Sequence, residues 1–379
     1  MPHVVEINDI ADLGGYRLLW QSLLAETRGA SFFQSLDWLE PYWRHFGESQ
    51  RLRVLVVRAG DETLGIVPLV VRTEMTRLGP VRVLIYPLDD WGMFYGPIGS
   101  QPTATLACAM RYLQGRSRDW DLLDLRWVDR DGADHGRTRN ALRHAGWQPL
   151  EQAGGQQAAI DFGCDWPAYW SGRGHRWRNN VGRCEKKLAS EGEVRYERYR
   201  PEGAAYGDDD PRWDLYEACE AVARNSWQGS SKTGTTLSHA SVHSYLRDAH
   251  ERAAHAGGVD LNVLYLSERP VAFVYNYHYR GRLYGLRMGF DASATKAGAG
   301  TVLMRRVIED SFDRGDRRFD LGPGSLDCKR PWQTSLETSY RCTHFAAAPR
   351  AQALRLKRRL AGWLARRQSG AASPAAASV

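Results

Sequence analysis

One succession of elements occurs twice in the chain. VLVVRAGDETLGIVPLVV (54–71) and VLYLSERPVAFVYNYHY (263–279) are each an apolar run, a polar turn and a second apolar run, the pattern of a β-hairpin. Each is followed by an apolar helical stretch and then a buried-strand pattern. These are TATLACAMRYLQ and WDLLDLRWV in the first half, and TVLMRRVIEDSF and RRFDLG in the second. Hairpin, helix and a strand carrying Asp124 or Asp320 therefore recur about 200 residues apart. Self-similarity of this kind decides architecture before any single residue does. It predicts two α/β domains of related design, and 379 residues leave room for both.

The join falls near 150–170, where EQAGGQQAAIDFG interrupts the pattern with glycine and glutamine. The expected divisions are residues 1–160, residues 161–348, and a C-terminal piece, 349–379. That last piece reads as a basic amphipathic helix, RAQALRLKRRLAGWLARR, with Leu356, Leu360, Trp363 and Leu364 at helical spacing, followed by a disordered tail. Two helices are predicted over 211–256, then the hairpin, a strand over 282–291 and a helix from 301.

The loop between that strand and that helix, KAGAGT (296–301), places Gly298 and Gly300 directly before a helix N-terminus. Unpaired backbone N–H groups and the helix dipole favour an anion there. Glycines let phosphate oxygens approach the amides of Ala299, Gly300 and Thr301 without a Cβ in the way. Lys296 adds positive charge at the rim, with Arg305 and Arg306 a turn further on. An ordinary strand-to-helix turn is the competing explanation. The loop lacks the GK[ST] ending of a P-loop and the GxGxxG of a dinucleotide fold, which argues against ATP and NAD.

Strand, glycine loop, helix and strand, after a hairpin and two helices, resemble the GNAT acyltransferase superfamily. Its loop usually reads [QR]xxGx[GA] and holds the pyrophosphate of acyl-CoA. Gly298 and Gly300 match, and Thr295 stands where Gln or Arg is usual. FFQSLDWLEPYWRHFG (32–47), RWRNNVGRCEKKL (176–188), RPVAFVYNYHYRGRLYGLRMGFD (269–291) and FDLGPGSLDCKRPW (319–332) together resemble the cellulose-biosynthesis-type (CelD/BcsL) GNAT proteins. Those are related to the Fem-type aminoacyltransferases. The resemblance covers about residues 30 to 345. It implies tandem GNAT-like domains with mixed central sheets, the N-terminal copy degenerate, since YGPIGSQPTAT (95–105) carries prolines and no GxG. It also implies acetyl-CoA or another acyl-CoA as co-substrate, and an envelope or exopolysaccharide precursor as acceptor.

Acyl transfer needs donors for a developing oxyanion, a base and alignment. Backbone N–H groups around Gly289 and Phe290 are the candidates for the carbonyl, although a bulge would equally explain the glycine. Asp320, in a buried strand, is the candidate base, because an unpaired desolvated carboxylate is raised in pKa. A structural cap of the following GPG turn is the alternative role for it. Asp291 is the second candidate. Tyr275 and Tyr277 share one strand face, where they would line the acceptor pocket, protonate the leaving thiolate or serve as core aromatics. Lys329 and Trp332 are the candidates for a phosphate or sugar of the acceptor, with a solvated loop lysine as the alternative. The block Arg173, Arg176, Arg178, Arg183, Lys186 and Lys187 is a further phosphate candidate or a solvated helix face.

The net charge of +7 favours anionic partners. The six cysteines show no CxxC and the histidines no ligand spacing, so no metal site is expected. With no basic-then-apolar leader and no run of about 18 apolar residues, a cytoplasmic protein is expected, its basic C-terminal helix either docked on the protein with a solvated face or lying on the inner membrane surface. No DNA partner is expected. Two alternatives stand beside the acyl-CoA enzyme: a Fem-type aminoacyl-tRNA-dependent transferase, for which tRNA would be a partner, and a non-catalytic scaffold of a polysaccharide synthase complex.

Overall fold

The computed structural model describes residues 2–87, 92, 96–231, 234, 236–322 and 324–370, the side chains of 295, 296 and 361–370 excepted. The chain runs β1 (Pro2–Ile7), α1 (Arg17–Glu26), α2 (Leu36–Phe46), β2 (Gln50–Ala59), β3 (Glu62–Thr76), β4 (Gly79–Ile85), α3 (Pro102–Gln114) and β5 (Leu122–Val128). Next come α4 (Arg137–His144), β6 (Leu150–Asp161), α5 (Trp166–Ser171), α6 (His175–Glu191), β7 (Val194–Tyr199), α7 (Trp213–Arg224) and α8 (His243–His255). It closes with β8 (Val259–Leu266), β9 (Arg269–Tyr279), β10 (Arg282–Phe290), α9 (Ala299–Asp313), β11 (Arg318–Asp320), β12 (Ser335–Phe345) and α10 (Pro349–Gly370).

Two compact units result. One comprises Met1–Arg28, Phe46–Gly154 and Tyr340–Val379, and the other Gly29–His45 and Gly155–Ser339. In the first, the strand order is β1-β2-β3-β4-β5-β12; in the second it is β6-β11-β10-β9-β8-β7. Both sheets are mixed: β4 meets β5 and β10 meets β11 in parallel, and the other described pairs are antiparallel. The expected hairpins are β2–β3 and β8–β9.

The division differs from the expected 1–160 and 161–348 at two segments. Residues 29–45 join the second unit because their aromatic rings are buried there. Phe32 stacks on Tyr277 with centroids 4.9 Å apart, and Trp38 meets Tyr277 and Tyr245 edge-on. The chain from Tyr340 joins the first unit because it pairs with β5, from Tyr340↔Val128 to Phe345↔Leu122. α10 follows it. Ala351 and Leu354 are buried, while Leu356 and Leu360 stand 60% and 53% exposed. The expected tail, 371–379, lies outside the described residues. Among the described residues no helix is long and apolar enough to cross a membrane.

In the second unit α9 lies on one face of the sheet, with Val302, Leu303, Val307 and Ile308 buried at helical spacing. On the other face Tyr277 and Tyr284 meet the aromatics of the 29–45 segment, and Tyr275 packs edge-on against Tyr277. The two-residue turn between β9 and β10, Arg280-Gly281, has positive φ at both residues (50° and 75°), the twist that suits an antiparallel hairpin.

Candidate active site

The site is a gap in the second unit's sheet. β10 pairs with β11 over Arg282–Tyr284 only, among the described residues. Against β9 it slips register between Gly285 and Arg287, a bulge that bends the strand away. At the crotch the backbones of Gly285 and Gly322 touch: a Cβ on Gly322 would lie 2.1 Å from the Gly285 carbonyl oxygen. Past it, the Met288 carbonyl accepts from Gln228 Nε2 at 3.0 Å, while Asp291 N–H donates to Val271 O on β9. By strand alternation the N–H groups of Met288 and Phe290 face the open edge, and that of Gly289 turns toward β9.

A cavity of about 740 Å³ occupies this gap and is lined from both faces of the sheet. On the α9 face its walls include Trp177, Met304, Phe319 and Leu321, and it ends at Gly298, Gly300 and Thr301, the mouth of α9. On the opposite face it reaches Arg287, Gln228, Thr236 and Trp227. Lys329 and Trp332 line it from the loop after β11. The Lys329 ammonium is lowered in pKa by burial, and its Nζ donates to Gly322 O at 2.5 Å. Trp332 meets Trp177 edge-on at 5.2 Å.

Phe290, Gly298, Gly300, Thr301, Lys329 and Trp332 are thus brought to one cavity, while other candidates are not. Gly298 caps α9 at φ 79°, and a Cβ there would meet Cys184 Sγ at 2.5 Å; on Gly300 it would meet Phe290 at 2.7 Å. Both glycines are therefore demanded by packing as well as by access to the amides. Ala299 is fully buried beside them. The Lys296 side chain lies outside the described residues. Arg305 is engaged by Glu185 at 2.7 Å and Glu309 at 3.2 Å, so it does not serve the mouth. Gly289 packs away from the cavity, where a Cβ would strike Phe273 at 2.6 Å. Arg173 is structural, with Nη1 on Gln333 O at 2.7 Å.

The four catalytic candidates do not line the cavity. Phe319 and Leu321 do, so period-two alternation sends Asp320, between them, to the opposite face beside its parallel partner Tyr284. Tyr275 and Tyr277 are wholly buried in the aromatic layer, and burial pushes the Tyr277 phenol up to about 12. Asp291 caps a turn, accepting from Ser293 N–H at 2.8 Å.

Asp320 is nevertheless perturbed. Burial pushes its carboxyl up to about 6, against the opposing Gly322 N–H (2.8 Å) and Arg318. A carboxyl raised on folding contributes stability in full below its unfolded pKa and loses it as pH rises through about 6. Asp320→Asn is expected to abolish that loss, so urea unfolding at pH 4 and pH 7 should show the variant gaining on the order of 2 kcal/mol relative to wild type over that interval. Parallel curves for the two proteins would contradict it.

Its counterpart in the repeat behaves oppositely. Burial would raise Asp124, but hydrogen bonds and charge from Arg341, with Arg126, hold it well below the usual carboxylate range. In the first unit, moreover, α3 opens on Pro102, which has no N–H to offer an anion.

Sequence reasoning missed Arg287, Asn276, Trp177, Trp227 and Gln228. A charged residue inside the otherwise apolar RLYGLRMGF was the available signal for Arg287. Asn276 Nδ2 donates to Asp260 Oδ2 at 2.8 Å, and its Oδ1 has no hydrogen-bond partner.

Residues 175–330, which contain nearly the whole cavity, match the family model described as an acetyltransferase (GNAT) domain. Residues 175–330 are therefore a GNAT acyltransferase domain, the protein is an acyltransferase, and its fold divides into two compact α/β units. The solved structure of FemX is similar over 92% of this chain and 99% of its own, with a TM-score of 0.63 and 9% identity. That of L-PGS from Bacillus licheniformis is similar over 90% and 95%, with a TM-score of 0.52 and 13% identity. At such identities these likenesses speak for the fold. No curated protein matches the chain.

Proposed function

We propose that the protein transfers an acyl group from acyl-CoA, acetyl by default, to an amine or hydroxyl of an envelope or exopolysaccharide precursor, in the manner of the cellulose-biosynthesis-type GNAT proteins. The observation that carries this reading is the continuity of one cavity from the α9 mouth, through the β10–β11 gap, to the opposite sheet face. The residues fit the co-substrate. Gly298, Gly300 and Thr301 leave the helix mouth open to a diphosphate, and apolar walls of Met288, Phe290 and Met304 suit a thioester arm. Bound acyl-CoA would supply an activated carbonyl, whose carbon–sulfur bond breaks as the acceptor's nitrogen or oxygen bonds to the acyl carbon and its proton passes to the sulfur. Met288 and Phe290 N–H groups, on the open strand edge, are the donors for the carbonyl oxygen. The splay positions donor and acceptor on opposite faces.

Gly298→Asp would test the cradle poorly, since any side chain there collides with Cys184. Thr301→Glu adds a negative charge at the mouth from a half-buried, cavity-lining position. Calorimetry should show CoA binding weakened by roughly tenfold or more, with the melting temperature unchanged. Undiminished affinity would remove the helix mouth from the mechanism. Binding of charged tRNA without CoA would favour the Fem-type alternative. Binding of neither, with association to anionic vesicles through the exposed Leu356 and Leu360 of α10, would favour a membrane-attached scaffold.

A further inference from the structure

The cavity does not stop at β10. Val274 and Asn276 line it as well. Both belong to β9, level with Met288 and Gly285 of β10. Tyr275 and Tyr277 alternate with them and lie in the aromatic layer, so Val274 and Asn276 point to the α9 face. Asp260, the hydrogen-bond partner of Asn276, lies on that face too: Arg198 joins its carboxylate to Val307 O and Ser311 Oγ of α9. The cavity therefore has a lobe beneath α9. Its walls are Val274, Met288, Met304 and Phe319, which pack in one apolar cluster, and Asn276 is a polar side chain set among them.

Asn276 is fully buried. Its Nδ2 donates to Asp260 Oδ2 at 2.8 Å, and its Oδ1 has no hydrogen-bond partner among the described residues. Rotating the amide would turn that oxygen onto a carboxylate, so the acceptor is fixed where it stands. A buried acceptor left unpaired is costly until a donor reaches it. Position along β10 says what can reach it. Phe290 stands at the α9 mouth, 2.7 Å from where a Cβ on Gly300 would lie. Gly285, level with Asn276, stands at the crotch, with the Gly322 backbone against it. With the acyl carbonyl at the Met288 and Phe290 amides, the arm of CoA lies on the mouth side of the carbonyl. Only the acyl chain continues toward Asn276, and Gly285 puts no side chain in its way.

We infer that the donor acyl group is longer than acetyl and hydroxylated, its chain filling the lobe beneath α9 and its hydroxyl donating to Asn276 Oδ1. The inference rests on the acyltransferase reading above and names the class of donor. A hydroxyl brings one proton to one acceptor, whereas an ammonium would bring three N–H donors and a charge to desolvate. Calorimetry on the full chain compares acetyl-CoA, butyryl-CoA, both enantiomers of 3-hydroxybutyryl-CoA, and 4-hydroxybutyryl-CoA. One hydroxylated ligand should bind roughly tenfold more tightly than butyryl-CoA, and the ligand that does so fixes the position of the hydroxyl. In Asn276→Leu that advantage should vanish. Because Asn276 also serves Asp260, the wild-type series decides without the variant. Hydroxylated ligands that bind no more tightly than butyryl-CoA, or acetyl-CoA binding more tightly than all of the longer ligands, overturn the inference alone. A hydroxyl advantage that survives in Asn276→Leu overturns the role of that residue. A protein that binds none of these ligands overturns the acyltransferase reading, and the inference with it.

Discussion

Asp260→Asn is expected to lower the unfolding free energy by about 3–5 kcal/mol. The carboxylate is wholly buried on β8 and fully used. Oδ1 accepts from Arg198 Nε at 2.7 Å and Arg200 Nε at 3.1 Å; Oδ2 accepts from Asn276 Nδ2 at 2.8 Å and Asn262 Nδ2 at 3.0 Å. Asparagine would present an N–H₂ to neighbours that are all donors, and would leave Arg198, 2% exposed, short of one counter-charge. Arg198 also reaches Val307 O and Ser311 Oγ on α9, so the network ties β7, β8, β9 and α9 together. Burial alone would raise the Asp260 pKa, but Arg198 and Arg200 hold it well below the usual range. A depressed carboxylate contributes stability above its unfolded pKa and loses it as pH falls below that value. Urea unfolding at pH 7 and pH 3 should therefore show the gap between variant and wild type narrowing in acid. A gap below 1 kcal/mol at pH 7 would mean that the remaining partners, Asp310 and Asp316, satisfy both arginines unaided.

Such a network has no short-range signature, and neither do the elements the sequence left unread. The hairpins β2–β3 and β8–β9 were legible because buried runs flank a polar turn, and α9 because its apolar residues recur at helical spacing. β6 was not, since Gly154 and Gly155 look like a break; its far end, from Ala159 to Asp161, pairs with β11, whose Asp320 lies opposite Ala159. β12 is likewise made by β5, over 200 residues away in sequence, and pairing of that kind is set by tertiary context rather than by local propensity. Of the residues that line the cavity, those of the helix mouth and Lys329 stand out in the sequence by residue type. Asp320 is placed by strand phase: the sequence FDL puts Phe319 and Leu321 on one face, where they line the cavity, and the carboxylate on the other beside Tyr284, and nothing local says which of them does so. Arg287 was missed because the bulge that brings it to the cavity is a register slip between strands, visible only once both are paired.

The gap itself yields the second large effect: Gly322→Ala should reduce kcat/KM for acetyl-CoA-dependent transfer by roughly a hundredfold or more. Gly322 has φ 74° and lies just past β11, where its N–H donates to Asp320 Oδ1 and its carbonyl accepts from Lys329. A methyl group would be driven to 2.1 Å from the Gly285 carbonyl oxygen, a backbone atom that cannot rotate aside. β10 and β11 would have to separate by more than an ångström at the crotch, displacing the Met288 and Phe290 amides relative to the α9 mouth. Positive φ alone costs an alanine about 1–2 kcal/mol, so a control must carry that strain without the collision. Gly315, just past α9, has φ 71° and open space around its Cβ position. Gly315→Ala should lose about 1 kcal/mol of stability and keep its turnover. If Gly322→Ala resembles it in steady-state kinetics and CoA calorimetry, the width of the β10–β11 opening does not control transfer. If activity falls while CoA affinity holds, the damage lies between the cradle and the acceptor, at the strand edge where the acyl carbon must meet its nucleophile.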